Sequence, residues 1–151
     1  MQDIIQRTVT INATKESIYD AITNPEQVVL WFPDRVEGAY KKGEQPILDF
    51  GEDGRSRIFI VDAVPHSYFA FRWIPGSNDF VGDVLTAQTT LVEFRIKQEK
   101  QGRCTVTMTE SGFASLPAEI AARSHDENAE GWDPMMRRLE KHLRAVETGV
   151  R

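Results

Sequence analysis

Glu110 is the side chain best placed to do chemistry. It continues the parity of Cys104, Val106 and Met108 along an alternating run, so its carboxylate is expected to face the same way as those apolar groups. An inward carboxylate is costly unless it is paired or hydrogen-bonded. In a hollow it can orient the polar end of a ligand, or act as an acid or base. At a strand end it can equally reach water or Arg72. Tyr19, Arg72 and His142 are the other polar groups that could set a ligand's orientation, His142 from the edge of a helical stripe beside Met135.

Other chemistries find less support. His125, Asp126 and Glu130 suggest a metal site, but their spacing does not bring them to one helix face, and no metal is expected. His66 in a turn and His125 in a polar helical stretch are expected to be exposed. Ser111-Gly112 is followed by Phe113, which does not make a nucleophile elbow. Asp49-Phe50-Gly51 echoes a kinase tripeptide without the glycine-rich or catalytic loops of that chemistry. No phosphate-binding loop or dinucleotide fingerprint is present, so no cofactor is expected. Glu110 alone does not establish an enzyme.

The elements that must position Glu110 are marked by a change of period. Thr90–Gln98 and Cys104–Ser111 alternate as strands, joined across Gln101-Gly102, with Val92, Phe94 and Ile96 sharing an inner face with Val106 and Met108. Beyond them Trp132, Met135, Met136, Leu139, Leu143 and Val146 form a helical stripe roughly 100° wide, opposite Asp133, Arg137, Arg138, Lys141 and Arg144. Strands followed by one long amphipathic helix imply a curved sheet closing on a helix. That closure can leave an apolar hollow walled by Trp31, Phe32, Phe71, Trp73, Phe94, Met108, Trp132, Met135, Met136, Leu139 and Leu143. Alternatively, these side chains fill a closed core. The adjacent methionines suit an adaptable surface.

The remaining elements read as follows. A first strand presents Ile5, Arg7, Val9 and Ile11 on one face. Thr14 caps a helix burying Ile18, Tyr19 and Ile22, and Asn24 caps a second, with Pro25 at its first position and Gln27 reaching back. Strands are predicted at 36–41, 46–50, 56–64 and 68–74, then a long connection at 75–87 of the kind that serves as a lid. A short helix near Ile120 is followed by a predicted break or kink at Gly131–Pro134, because a mid-helix proline costs about 3 kcal/mol.

Composition sets the outer bounds. A chain of 151 residues with 40% hydrophobic and 27% charged content fits one globular domain. The net charge of −5, with scattered basic residues, argues against a nucleic-acid surface. No apolar run approaches membrane-spanning length, and Met1-Gln2-Asp3 does not open a signal peptide, so a cytoplasmic location is expected. The single Cys104 reads as a small buried hydrophobe in a reducing compartment.

Specific segments resemble a known family. Thr14-Lys-Glu-Ser-Ile-Tyr-Asp-Ala-Ile-Thr-Asn-Pro-Glu26 and Trp31-Phe-Pro-Asp34 are similar to the opening of the activator of heat-shock-protein-90 ATPase homologue-like family, within the START/polyketide-cyclase (SRPBCC) superfamily. Phe71-Arg-Trp-Ile-Pro-Gly76, Thr90-Leu-Val-Glu-Phe94, Thr109-Glu-Ser-Gly-Phe113 and Glu130-Gly-Trp132 resemble its bacterial branch. The resemblance implies an α+β helix-grip fold with two short helices after the first strand and about six to seven antiparallel strands around a long C-terminal helix. It also implies binding of a hydrophobic or amphipathic small molecule between sheet and helix, a cavity that a few members use for cyclisation or other chemistry. With no enzyme motif in the sequence, the first expectation is non-catalytic binding of a small hydrophobic or aromatic ligand. Two alternatives remain. One is a co-chaperone-like or stress-response module with a protein partner, using an exposed patch near Phe80, Val84 and Leu85. The other is a cyclase-like or isomerase-like enzyme using a pocket carboxylate. A homodimer is compatible with all three.

Overall fold

Alternating β-branched residues open the chain as β1 (Ile4–Ile11), which buries Ile5 and Ile11 and turns Gln6, Thr8 and Thr10 outward. The computed structural model describes residues 3–75 and 79–147, except the side chains of residues 146 and 147. Val146, the last member of the predicted stripe, therefore has its side chain outside the described residues. The hydroxyl of Thr14 accepts from Ser17 N–H and starts α1 (Lys15–Thr23), which buries Ile18, Ala21 and Ile22. Asn24 caps α2 (Pro25–Val28) through Glu26 N–H, with Pro25 at the first position. Gln27 does not reach back to this cap. Its side-chain oxygen lies 2.9 Å from His142 Nε2 instead.

The strands that follow are β2 (Arg35–Glu37), β3 (Ile47–Asp49), β4 (Arg55–Arg57), β5 (Phe59–Val64), β6 (Tyr68–Trp73), β7 (Asp79–Phe80), β8 (Thr90–Gln98) and β9 (Cys104–Ser111). After β9 comes α3 (Ala118–Glu147). Five strands form the main antiparallel sheet in the order β1-β9-β8-β6-β5, and a smaller sheet has the order β2-β3-β4-β7. The fold is the expected α+β helix grip, but its strands divide between two sheets. The strand predicted at 56–64 is interrupted at Ile58, which is fully buried and donates its N–H to Pro46. There the chain leaves the small sheet and enters the large one.

The connection at 75–87 is also more structured than its sequence suggests. β7 lies parallel to β4, Arg57 Nε donates to the Val81 carbonyl at 2.9 Å, and Gln45 bonds both Val84 N–H and Asp83. Its described part is thus bonded along its length rather than free to swing as a lid. Residues 76–78 of this connection lie outside the described residues.

Of the predicted break or kink at Gly131–Pro134, the break does not occur. α3 runs unbroken for 30 residues with Pro134 inside it. Proline removes one N–H and frees the carbonyl four residues earlier, that of Glu130, but Glu130 and Pro134 are both exposed and water can serve that group. Tertiary contacts hold both sides of the weak point. Arg7, inward on β1, donates to the Asp133 carboxylate at 2.5 Å and to the Ala129 carbonyl at 3.3 Å. Trp132, Met136, Leu139 and Leu143 are buried against the sheet. Burying each such side chain is worth about 1.5–3 kcal/mol. The sum exceeds the penalty of proline and glycine combined.

Gly131 still weakens the helix. A Cβ built there meets nothing within 4 Å. Gly131→Ala should therefore raise stability by about 0.5–1 kcal/mol, read as a higher denaturation midpoint at constant slope.

Candidate functional site

The inward parity of β9 does carry Glu110 beneath the helix, where it is fully buried. Arg72 is not its partner. Arg72 points outward, exposed, within 3.4 Å of the Thr89 hydroxyl. Four uncharged donors surround the carboxylate instead. Trp73 Nε1 and Thr90 Oγ1 donate to Oε2 at 2.9 and 2.5 Å. Trp132 Nε1 donates to Oε1 at 2.8 Å, and Asn128 Nδ2 lies 3.0 and 2.9 Å from the two oxygens. Among the described residues no buried side-chain nitrogen or oxygen lacks a partner. The network meets the desolvation cost of Glu110 without a counter-ion.

Register explains the convergence. Glu110 pairs with Val92 across β8, which sets Thr90 one diagonal step away, and Thr90 pairs with Trp73 on β6. Asn128 and Trp132 are four residues apart, on one face of α3. Three strands and the helix are therefore joined at one carboxylate.

In front of this junction lies a cleft of about 260 Å³ between α3 and the small sheet. Phe32, Phe50, Trp73 and Trp132 supply its aromatic lining, Ile74, Pro75, Gly131 and Met135 add apolar surface, and Asp53, Ser56, Glu127 and Asn128 add polar groups. The rings pack on one another. Phe32 lies 5.3 Å from Phe50, 5.5 Å from Trp132 and 6.1 Å from Trp73, and Trp73 lies 5.9 Å from Trp132. Both cleft tryptophans direct their indole N–H groups into Glu110. Glu110 itself does not line the cleft.

The structure separates the expected wall residues into two groups. Phe32, Trp73, Trp132 and Met135 line the cleft. Trp31, Phe71, Phe94, Met108, Met136, Leu139 and Leu143 are buried in one continuous core with Phe32 and Trp132. These seven positions belong to the buried cluster between the sheet and α3, not to the cleft. Tyr19 is half-buried on α1 in an edge-to-face contact with His66, ring centroids 5.7 Å apart, and burial raises its hydroxyl pKa, with Asp62 adding to the effect. His142 faces Gln27 on α2. Neither reaches the cleft.

His125 corrects another expectation: it is buried, with its ring nitrogens 3.2 Å from Asp126 and 3.3 Å from the Ile4 carbonyl. Among the described residues no three acidic, histidine or cysteine side chains are grouped to hold a metal. Cys104 is buried, and desolvation pushes its thiol pKa up. The patch expected near Phe80, Val84 and Leu85 is reduced, because Val84 is buried while Leu85 stays exposed.

Thr90, Asn128, Phe50, Asp53 and Ser56 were not anticipated. Thr90 shares the parity of Val92 and Phe94, so the argument that placed Glu110 also reaches it. Asn128 lies one turn before Trp132 but was hidden by the predicted break. Phe50 follows β3, Asp53 lies in the turn after it and Ser56 lies in β4, segments too short for their alternation to point to a cleft.

No helix among the described residues is long and apolar enough to cross a membrane. No curated protein matches the chain in sequence. Several solved structures share its fold. DynU16, from the dynemicin biosynthetic locus, is 23% identical with a TM-score of 0.74, covering 99% of this chain, which spans about half of that longer protein (49%). Protein MLL2253 from Mesorhizobium loti is 16% identical with a TM-score of 0.75, covering 93% of this chain and 96% of its own. The Aha1 dimer from Colwellia psychrerythraea is 17% identical with a TM-score of 0.72, covering 94% of this chain and 96% of its own. Identities this low speak for the fold alone. The family model described as Activator of Hsp90 ATPase homolog 1-like protein matches residues 12–144, nearly the whole chain, and the protein belongs to that family.

Proposed function

We propose that the protein is a cytoplasmic, non-catalytic binding module that holds one small, flat, largely apolar molecule in the cleft between α3 and the small sheet. The observation that carries this reading is the packed group of Phe32, Phe50, Trp73 and Trp132 lining an opening of about 260 Å³. That volume lies just below the roughly 300–1,000 Å³ of drug-sized sites, which favours a ligand of one or two rings over a lipid. Burial of its apolar surface would supply affinity at about 25 cal/mol per Å². Asn128 and Ser56 are the nearest neutral polar groups for fixing its orientation. The fully enclosed Glu110 then serves to hold the wall. Chemistry on a cleft ligand would require its donors to move aside, so the cyclase-like alternative is disfavoured.

The test uses NMR with a set of neutral one- and two-ring aromatic compounds. Binding should move the indole N–H signals of Trp73 and Trp132 and leave that of Trp31, bonded to Ala21, in place. Gly131→Phe projects a ring from an open position into the cleft. It should reduce affinity at least tenfold without lowering stability. Unchanged affinity in that variant would remove the cleft from the proposal.

A further inference from the structure

We infer that the ligand of this cleft carries a cationic nitrogen, seated against the aromatic wall; this rests on the reading of the cleft as a ligand site. The first ground is the wall itself. Four aromatic side chains of the twelve described lining residues border an opening of about 260 Å³. Ring faces carry negative electrostatic potential and attract a cation that lies over them. The indole N–H groups of Trp73 and Trp132, the positive edges of those rings, are turned away from the cleft and consumed by Glu110. An anionic ligand thus finds neither of these donors.

The second ground is the sign of the charge. Asp53 and Glu127 are the only charged residues among the twelve, and both are acidic. Asp53 forms no salt bridge among the described residues, and Glu127 meets Arg123 only at 4.0 Å with both side chains more than half exposed. Such a contact neutralises little. Glu110 lies directly behind the two indoles. Among the described residues, both charged lining groups, and Glu110 behind the indoles, are thus carboxylates, while Arg138 meets the lining at the Met135 sulfur, 4.0 Å from its Nη1. A bare metal ion fits poorly, because no convergent set of ligands is present among the described residues. An organic ammonium group fits both the rings and the rim.

The experiment compares two phenols of the same shape that differ in charge, 3-hydroxyphenyltrimethylammonium and 3-tert-butylphenol. Each is titrated into the intact chain while the Trp73 and Trp132 indole signals are followed. The cation should bind about tenfold more tightly at low ionic strength, and the margin should shrink in 0.5 M salt, since the rim carboxylates are exposed. The double variant Asp53→Asn, Glu127→Gln should weaken the cation several-fold and leave the neutral phenol unchanged. Equal binding of the two compounds, or tighter binding of the neutral one, would overturn the charge preference and leave the apolar cleft standing. If neither compound moves the Trp73 or Trp132 signals up to about 1 mM, both readings fall.

Discussion

Glu110→Leu should cost about 3–5 kcal/mol of folding stability, although it exchanges a buried carboxylate for an apolar side chain of similar size. The estimate follows from what is left behind. Trp132 N–H and the Thr90 hydroxyl lie in full burial and would each lose their acceptor, at about 1–3 kcal/mol apiece. Trp73 and Asn128 are half-buried and can turn partly to water, so they add less. Glu110→Gln keeps the shape and one oxygen but places two new donors among existing donors. A loss of about 2 kcal/mol is expected for it. Denaturant midpoints measure both changes. A loss under 1 kcal/mol for the leucine variant would mean that the four donors find other partners and that the carboxylate is not a structural junction. It would then be free for the ligand chemistry that its enclosure now argues against.

Much of this junction could be read from sequence, and the reason is local. Strict alternation fixed the bounds of β8 and β9 and the inward course of Glu110, because a pleated strand leaves its side chains no other choice. Thr14 and Asn24-Pro25 marked helix starts through bonds made within three residues. Elsewhere local rules gave way to distant partners. Gly131 and Pro134 argue for a break, yet Trp132 bonded to Glu110 and Arg7 bonded across to Asp133 hold one continuous helix. A break there would part Asn128 from Trp132, so their shared face follows only from the continuous helix. The small sheet was legible only as fragments. Its strands of two or three residues owe their positions to partners outside themselves, such as the Arg35–Asp49 ion pair across β2 and β3 and the bond from Arg57 to the Val81 carbonyl beside β4 and β7. The cleft lies where that sheet stands off from α3. Its place was therefore undetermined by the periodicity that located the core.

Phe32 sits on the boundary between that core and the cleft, and Phe32→Ala should reveal the boundary. Phe32 is 5% exposed, touches the rings of Trp31, Phe50, Trp73 and Trp132, and also lines the cleft. Truncation should cost about 3–5 kcal/mol, the range for removing a buried phenylalanine side chain. The vacated space would be continuous with the cleft and lined by aromatic surface, which offers water few partners. An apolar guest can fill it. Two-ring aromatic probes should therefore gain affinity relative to one-ring probes, and a saturating probe should restore part of the lost stability by mass action. Leu139→Ala supplies the contrast, because Leu139 is fully enclosed and does not line the cleft. It should lose about 2–5 kcal/mol with no change in probe preference. If Phe32→Ala destabilises the protein to a similar extent but leaves the order of probe affinities unchanged, its ring belongs to the core alone. The cleft would then end at Trp73 and Trp132, whose orientation depends on Glu110.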